Sequence, residues 1–108
     1  MFAIAPAGGP AFILDSLRHI TTPTAIVAGR ADSTAPIRSN AQRLGRTIPK
    51  ARLTLLPAVG HYTFLATCTE AGRAAQPQLC ADAPGVDRDV VHEGVATRAA
   101  QFFDEALK

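Results

Sequence analysis

Residues 25–32 read Ala25-Ile26-Val27-Ala28-Gly29-Arg30-Ala31-Asp32, in which an apolar run of five residues, Ala25 to Gly29, is closely followed by the carboxylate of Asp32. A short apolar run of this kind predicts a buried strand, here over Thr24 to Gly29, and a further strand is expected over Arg52 to Leu56. A second run, Leu53-Thr54-Leu55-Leu56, is followed by Gly60-His61-Tyr62. Each strand is therefore expected to deliver one polar group at its carboxyl end, first Asp32 and then His61. That order, acid before imidazole, matches the last two members of a Ser…Asp…His series.

The segments around these two strands predict alternating strands and helices. Phe2-Ala3-Ile4-Ala5, closed by a proline, is expected to form a short buried strand. Residues 14–20 predict one or two helical turns, with Asp15 or Ser16 as the cap. Strand, helix, strand, helix, strand is the order of a parallel sheet with right-handed crossovers. We therefore predict an α/β fold in which residues 1–108 form a partial domain, a three-stranded parallel part-sheet with flanking helices.

Two longer helices are predicted from residue spacing. The first is expected to begin at Ser33-Thr34-Ala35-Pro36, where a hydroxyl can cap and proline suits the first turn, and to run to about Ile48. Its apolar residues recur at helical spacing: Ile37, Ala41, Leu44 and Ile48. The second is expected over residues 90–107 with Asp87 as its cap. Between them, residues 62–88 show little periodicity and predict a long excursion with one helical turn.

Composition excludes several classes of function. The chain has 108 residues, enough for one small domain or part of a larger one, with 47% hydrophobic and 19% charged residues. The net charge is +2, and the basic residues lie across a predicted helix and its exit rather than in a tight run, which argues against a nucleic-acid partner: Arg38, Arg43, Arg46, Lys50 and Arg52. No run approaches the roughly 18 apolar residues of a membrane span, so no membrane association is expected. Residues 1–14 lack Lys and Arg and contain Gly8-Gly9-Pro10, so they do not predict a signal peptide.

No nucleophile motif accompanies Asp32 and His61. The sequence G-x-S-x-G is absent, and Ser16, Ser33 and Ser39 are better explained as helix caps or surface hydroxyls. Taken alone, Asp32 could also be a turn or cap carboxylate, and His61 a surface loop histidine.

The remaining histidines and the cysteines do not indicate a metal or a cofactor. His19 and His92 are predicted to face solvent from a helix or loop. A cluster of Cys68, Cys80, His61 and His92 can be drawn, but the spacing Cys-x11-Cys is not that of a zinc site. We therefore predict no metal site and no bound cofactor.

Four stretches carry a family resemblance: residues 26–32 with Pro36, residues 48–56, residues 60–65, and the segment from Cys68 through Cys80-Ala81-Asp82 to Asp87-Arg88. Together they resemble the carboxyl-terminal part of an α/β-hydrolase, most closely the dienelactone hydrolase and platelet-activating-factor acetylhydrolase-like group. The resemblance covers nearly the whole chain and implies that its strands are the last three of an eight-strand sheet. It also implies that Asp32 is the triad acid and His61 the triad base, acting on a small acyl substrate in the complete protein.

Cys68 and Cys80 are the only cysteines, and two states are open to them. They could close a disulfide across the excursion, a pairing that the resemblance also brings, with a gain of roughly 3 kcal/mol on a chain-entropy estimate. The alternative is two reduced, small hydrophobic side chains in a cytoplasmic protein. We expect the bridge, which would make the parent protein exported or periplasmic.

Two hypotheses of different classes follow. The first is a serine-type hydrolase of esters, lactones or related acyl compounds that carries the acid and the base. It would need a nucleophile from a longer parent chain or a partner, so independent catalysis is not expected. The second is a non-catalytic half-domain or interaction module that associates through the open apolar edge at Phe2-Ala3-Ile4-Ala5. A further possibility is that Met1 is not the natural start, since the sequence begins inside a predicted strand.

Overall fold

The computed structural model describes residues 1–108 and contains a three-stranded sheet. Its strands are β1 (Phe2–Ile4), β2 (Ala25–Gly29) and β3 (Arg52–Leu56). They lie in the order β1-β2-β3, and both pairs are parallel, with Phe2 opposite Ala25 and Ala25 opposite Arg52. The predicted α/β fold with a three-stranded parallel sheet is confirmed. Both polar groups of interest follow strands, so they emerge at the same edge of this sheet.

The helices are α1 (Leu14–Arg18), α2 (Ala41–Thr47), α3 (Glu70–Ala75), α4 (Pro77–Cys80) and α5 (Arg88–Ala106). Two 3₁₀ turns cover Gly9–Ala11 and His61–Phe64. No helix combines the length and the hydropathy that a bilayer span requires.

The core lies on both faces of β2, whose residues are all buried. On one face, Ile26 and Ala28 belong to an apolar cluster with side chains from α1, from α2 and from the residue that follows α2: Leu17, Ala41, Leu44 and Ile48. On the other face, the buried Phe102 of α5 packs on Phe2, with ring centroids 5.8 Å apart. Burial of both faces explains why the sequence of β2 is continuously apolar.

The helix predicted from residue 33 to Ile48 is wrong in its first half, since α2 begins only at Ala41. Two side chains hold the preceding backbone in turns. Asp32 Oδ1 accepts a hydrogen bond from the Ala35 amide (2.6 Å), and the buried Asn40 accepts one from the amide of Gly9 (2.8 Å) while donating to the Pro36 carbonyl (3.0 Å). Asn and Asp compete with the helix in this way because their short side chains bond to nearby backbone groups.

The structure also tests the expected cap of α1, the expected cap and start of α5, and the expected content of the excursion. Neither Asp15 nor Ser16 caps α1, whose cap position is Ile13 and has no side-chain bond; Asp15 lies in the first turn. The Asp87 cap is confirmed, because its carboxylate accepts from the amides of Asp89 and Val90, and α5 starts at Arg88 rather than 90. The excursion over residues 62–88 holds more helix than predicted, namely α3, α4 and most of a 3₁₀ turn.

A disulfide joins Cys68 to Cys80, as expected, with their Cα atoms 5.8 Å apart. It ties a residue that lies two positions before α3 to the last residue of α4 and so closes a loop within the excursion. Because both thiols are used in the bridge, the metal cluster drawn from the sequence does not form, and no group of three or more His, Cys, Asp or Glu side chains is arranged to hold a metal ion.

Replacing both cysteines by serine is expected to lower the free energy of unfolding by about 2–3 kcal/mol, since the bridge restricts the unfolded chain. Urea unfolding with and without dithiothreitol measures this. Reductant should destabilise the original chain by a similar amount and leave the Cys68→Ser, Cys80→Ser variant unchanged. Equal unfolding midpoints for the two proteins in the absence of reductant would contradict a structural role for the bridge.

Candidate active site

Asp32 is held in a turn directly after β2. Its amide donates to the carbonyl of Gly29 (3.2 Å), and its side chain is only 1% exposed. Both carboxylate oxygens have partners: Oδ1 accepts from the Ala35 amide at 2.6 Å, and Oδ2 lies 2.7 Å from His61 Nδ1. The carboxylate is therefore fixed by the backbone on one side and presents its second oxygen to the imidazole.

His61 opens the 3₁₀ turn His61–Phe64 that follows β3. A carboxylate only accepts hydrogen bonds, so the bond to Asp32 places a proton on Nδ1, and the neutral form of the imidazole then has its lone pair on Nε2. The His61 side chain is 24% exposed, and the Tyr62 ring meets it edge-on with centroids 5.4 Å apart. The imidazole is thus oriented from one side and accessible from the other.

A close approach of two backbones brings the Asp32 and His61 segments together. Arg30 donates its amide to Leu56 O (2.9 Å) and Ala31 donates to Val59 O (3.0 Å), which extends the β2–β3 pairing past the strands. At Gly29 there is no room for a side chain, because a Cβ would lie 2.0 Å from Val59 O. Glycine at this position lets the loop before His61 lie against the end of β2.

A second polar network contacts the His61 turn through Thr63. Thr63 is buried; its hydroxyl accepts from the Gly60 amide (3.3 Å) and donates to Asp82 Oδ1 (2.7 Å). Arg88 donates to both oxygens of Asp82, from Nε at 2.9 Å and from Nη2 at 3.0 Å. Burial of the Asp82 carboxyl raises its pKa, but the hydrogen bonds from Arg88 and Thr63 and the nearby positive charge outweigh it and hold the pKa below its ordinary value.

Asp82→Asn is expected to remove an acid-sensitive part of the stability. The folded-state pKa of Asp82 lies below its unfolded value, so its ion pair stabilises the fold fully above the ordinary aspartate pKa of about 3.9. That contribution is lost as the pH falls through the folded-state pKa. Urea unfolding from neutral into acidic solution should give two curves of unfolding free energy that converge at low pH. A gap of constant size would show that Asp82 makes no pH-dependent contribution.

A cleft of about 270 Å³ opens beside His61. Its walls come from the turn after Asp32, the His61 turn and the region around α4. The polar side chains that line it are Ser33, Thr34, His61, Tyr62, Thr63, Gln78 and Asp82. The excursion therefore contributes to the surroundings of the imidazole.

The structure brings together the two candidate residues, Asp32 and His61, and separates the others. His19 is exposed at the C-cap of α1 and bonds to the Asp15 carbonyl (2.7 Å). His92, predicted to face solvent, is instead half-buried, and its Nε2 donates to the Thr63 carbonyl (2.8 Å). That prediction was wrong because α5 packs on the His61 turn, which the helical pattern of residues 90–107 does not reveal. No hydrogen bond joins Ser16, Ser33 or Ser39 to His61.

Sequence reasoning missed the roles of Thr63, Asp82 and Arg88. One signal was present: Arg88 and His92 are four residues apart, so both project from the same side of α5. Their hydrogen-bond partners, Asp82 and Thr63, lie outside α5. The fold and the site together define an α/β protein with an acid–imidazole pair, hydrogen-bonded at the carboxyl edge of its parallel sheet.

Comparisons with known proteins show a likeness to solved structures. No protein-family model and no curated protein matches the chain. Among solved structures, the chain is similar to the crystal structure of an alpha/beta hydrolase enzyme from the metagenome of sediments from the lagoon of Mar Chica, Morocco. The match has 25% sequence identity and a TM-score of 0.44, and it covers 60% of this chain. It spans 29% of the length of that enzyme.

Proposed function

We propose that the chain is the acid–base part of a serine-type α/β-hydrolase that acts on esters, lactones or related acyl compounds. The observation that carries the proposal is the 2.7 Å bond between His61 Nδ1 and the buried Asp32 carboxylate. Its place at the carboxyl edge of a parallel sheet suits the role, since sites of open α/β sheets form there. Within this class, we assign it to the dienelactone hydrolase and platelet-activating-factor acetylhydrolase-like group, on the sequence motifs around Asp32, His61 and the two cysteines.

The chemistry follows from the tautomer of His61. A serine hydroxyl is a poor nucleophile until a base takes its proton, and Nε2 of His61 has the free lone pair for that step. Asp32 holds the ring in this tautomer and stabilises the imidazolium that forms. The Nε2 proton is then passed to the leaving alkoxide as the carbon–oxygen bond breaks.

The nucleophile and the oxyanion donors are assigned to polypeptide outside these residues. The 108 residues hold no G-x-S-x-G, so we expect no hydrolysis by this chain alone. The disulfide favours an oxidising location for the parent protein, exported or periplasmic.

The test is to read the coding DNA upstream of Met1 for an in-frame G-x-S-x-G and to express the polypeptide that it encodes. A fluorophosphonate probe should label that longer polypeptide and leave the 108-residue chain unlabelled. Labelling of the short chain would contradict the view that it lacks a nucleophile. A longer polypeptide that carries the motif, folds and takes no label would overturn the hydrolase proposal.

A second candidate function rests on the open edge of β1. The bonds from the Ala25 amide to Met1 O (3.0 Å) and from the Ala5 amide to Val27 O (2.8 Å) point the odd residues of this segment at β2. The backbone groups of Phe2 and Ile4 therefore face the open side, and Ile4 is 46% exposed. Such an edge can pair with another chain, so an interaction module, including self-association, is the alternative.

Sedimentation at several concentrations distinguishes this alternative. A concentration-dependent dimer that dissociates to monomers in the Ile4→Lys variant would support pairing through the edge of β1. A chain that stays monomeric at every concentration, together with an upstream G-x-S-x-G, would favour the hydrolase.

A further inference from the structure

We propose that four residues form a brace that positions the His61 imidazole for proton transfer: Thr63, Asp82, Arg88 and His92. The inference rests on the proposed function, because it takes His61 as the general base. None of the four reaches the reacting atoms in this proposal; they are positioning residues that act through the backbone of the His61 turn.

The His61 turn needs support from outside itself. It is a single 3₁₀ turn, a conformation with poor hydrogen-bond geometry that is rarely stable in isolation. The Asp32 bond fixes the ring at Nδ1 only, so the ring direction depends on where the backbone of His61 lies. Thr63 ties both ends of this short segment: its hydroxyl accepts from the Gly60 amide and donates to Asp82. Residues on either side of His61 are thereby held by one hydroxyl group.

Asp82 is in turn held by Arg88 with little freedom. Besides its two bonds to the carboxylate, the guanidinium donates from Nη1 to Ala66 O (3.2 Å) and from Nη2 to Leu79 O (3.0 Å). The Arg88 and Asp82 side chains are only 6% and 14% exposed, and no buried side-chain polar atom lacks a partner. A buried ion pair is weak evidence for stability but fixes geometry when each of its nitrogen and oxygen atoms is hydrogen-bonded. Arg88 therefore joins the start of α5 to three points of the excursion.

His92 completes the brace from the next turn of α5. Its Nε2 donates to the carbonyl of Thr63, so α5 holds the main chain of Thr63 through His92 and its side chain through Arg88 and Asp82. The disulfide adds a further restraint, because Cys80 lies two residues before Asp82. The excursion and α5 thus act as one support for the backbone of the His61 turn.

The test uses the imidazole proton of the 108-residue chain as its readout. The Nδ1 proton of His61 should give a downfield NMR resonance that exchanges slowly with water. Thr63→Val keeps the shape of the side chain and removes the hydroxyl, whereas Thr63→Ser keeps the hydroxyl. Thr67→Val is the matched control, since Thr67 makes an exposed hydroxyl bond to Asp89 in the same region and does not touch the brace.

In Thr63→Val, the exchange rate of the His61 proton is expected to rise about fivefold, the factor given by loss of one ordinary hydrogen bond. Thr63→Ser and Thr67→Val should stay near the original rate. A folded Thr63→Val with unchanged exchange overturns the brace, as does an equal rise in Thr67→Val.

Arg88→Lys provides a second test if Thr63→Val fails to fold. Lysine keeps the charge but loses the two-point bond to Asp82, so exchange at His61 should again accelerate, and an unchanged rate would overturn the proposal. Failure of the brace is distinguishable from failure of the proposed function. The exchange rate is read without any catalysis, whereas the hydrolase is tested by probe labelling of the longer polypeptide.

Discussion

Gly29→Ala is expected to lower the free energy of unfolding by about 4 kcal/mol or more and to move Asp32 away from His61. The effect is at the upper end for a single substitution because the added methyl group would overlap backbone atoms. A Cβ at this position would lie 2.0 Å from Val59 O and 2.5 Å from Val59 C. Both are main-chain atoms, so no rotamer change relieves the contact. Val59 O also accepts a hydrogen bond from the amide of Ala31, the residue before Asp32. A shift of Val59 would therefore break a bond that holds the backbone next to Asp32.

Urea unfolding gives the stability, and the downfield resonance of the His61 Nδ1 proton reports the pair. Gly94→Ala is the matched control, since no atom lies within 4 Å of a Cβ there and the residue sits inside α5. It should raise stability by up to about 1 kcal/mol through helix propensity alone. Gly29→Ala with original stability and an intact resonance would show that the approach of β2 to Val59 does not set the site.

The sheet could be predicted from sequence because its strands are local and apolar. Arg52–Leu56 matched the prediction at both ends, and Ala25–Gly29 differed by one residue. The meeting of Asp32 with His61 then follows from topology, since the carboxyl ends of neighbouring parallel strands share one edge. The sequence pattern does not explain why the Asp32 and His61 segments lie so close together. The reason is that Gly29 has no side chain to keep the two backbones apart.

The remaining features depend on contacts that no short window contains. The helix predicted from residue 33 fails because Asn40 bonds to Gly9, 31 residues earlier. The brace joins Thr63 to Asp82 and His92, at separations of 19 and 29 residues. Helical periodicity places Arg88 and His92 on one side of α5 without saying what that side meets. Hydrogen-bond partners that are so far apart in sequence can be identified only from the three-dimensional structure.

Asp32→Asn is expected to move the proton of His61 from Nδ1 to Nε2. The amide has one oxygen where the carboxylate has two, and two groups compete for it. The Ala35 amide is buried at 2.6 Å from Oδ1 and has no other acceptor, so the oxygen stays there. The amide nitrogen then faces His61 Nδ1, which must accept. Proton–nitrogen correlation spectra of the 108-residue chain show which ring nitrogen carries the proton.

The same substitution should lower hydrolysis by the nucleophile-containing polypeptide roughly 10³- to 10⁴-fold, because an Nε2 that already carries a proton cannot take one from serine. Asp15→Asn is the control. Asp15 also faces a histidine, His19, but both side chains are more than three-quarters exposed, at 76% and 77%. That variant should leave both the His61 tautomer and the rate unchanged. A tautomer shift without loss of rate would remove His61 from the role of base, and a loss of rate without the shift would show that Asp32 acts other than by orienting the ring.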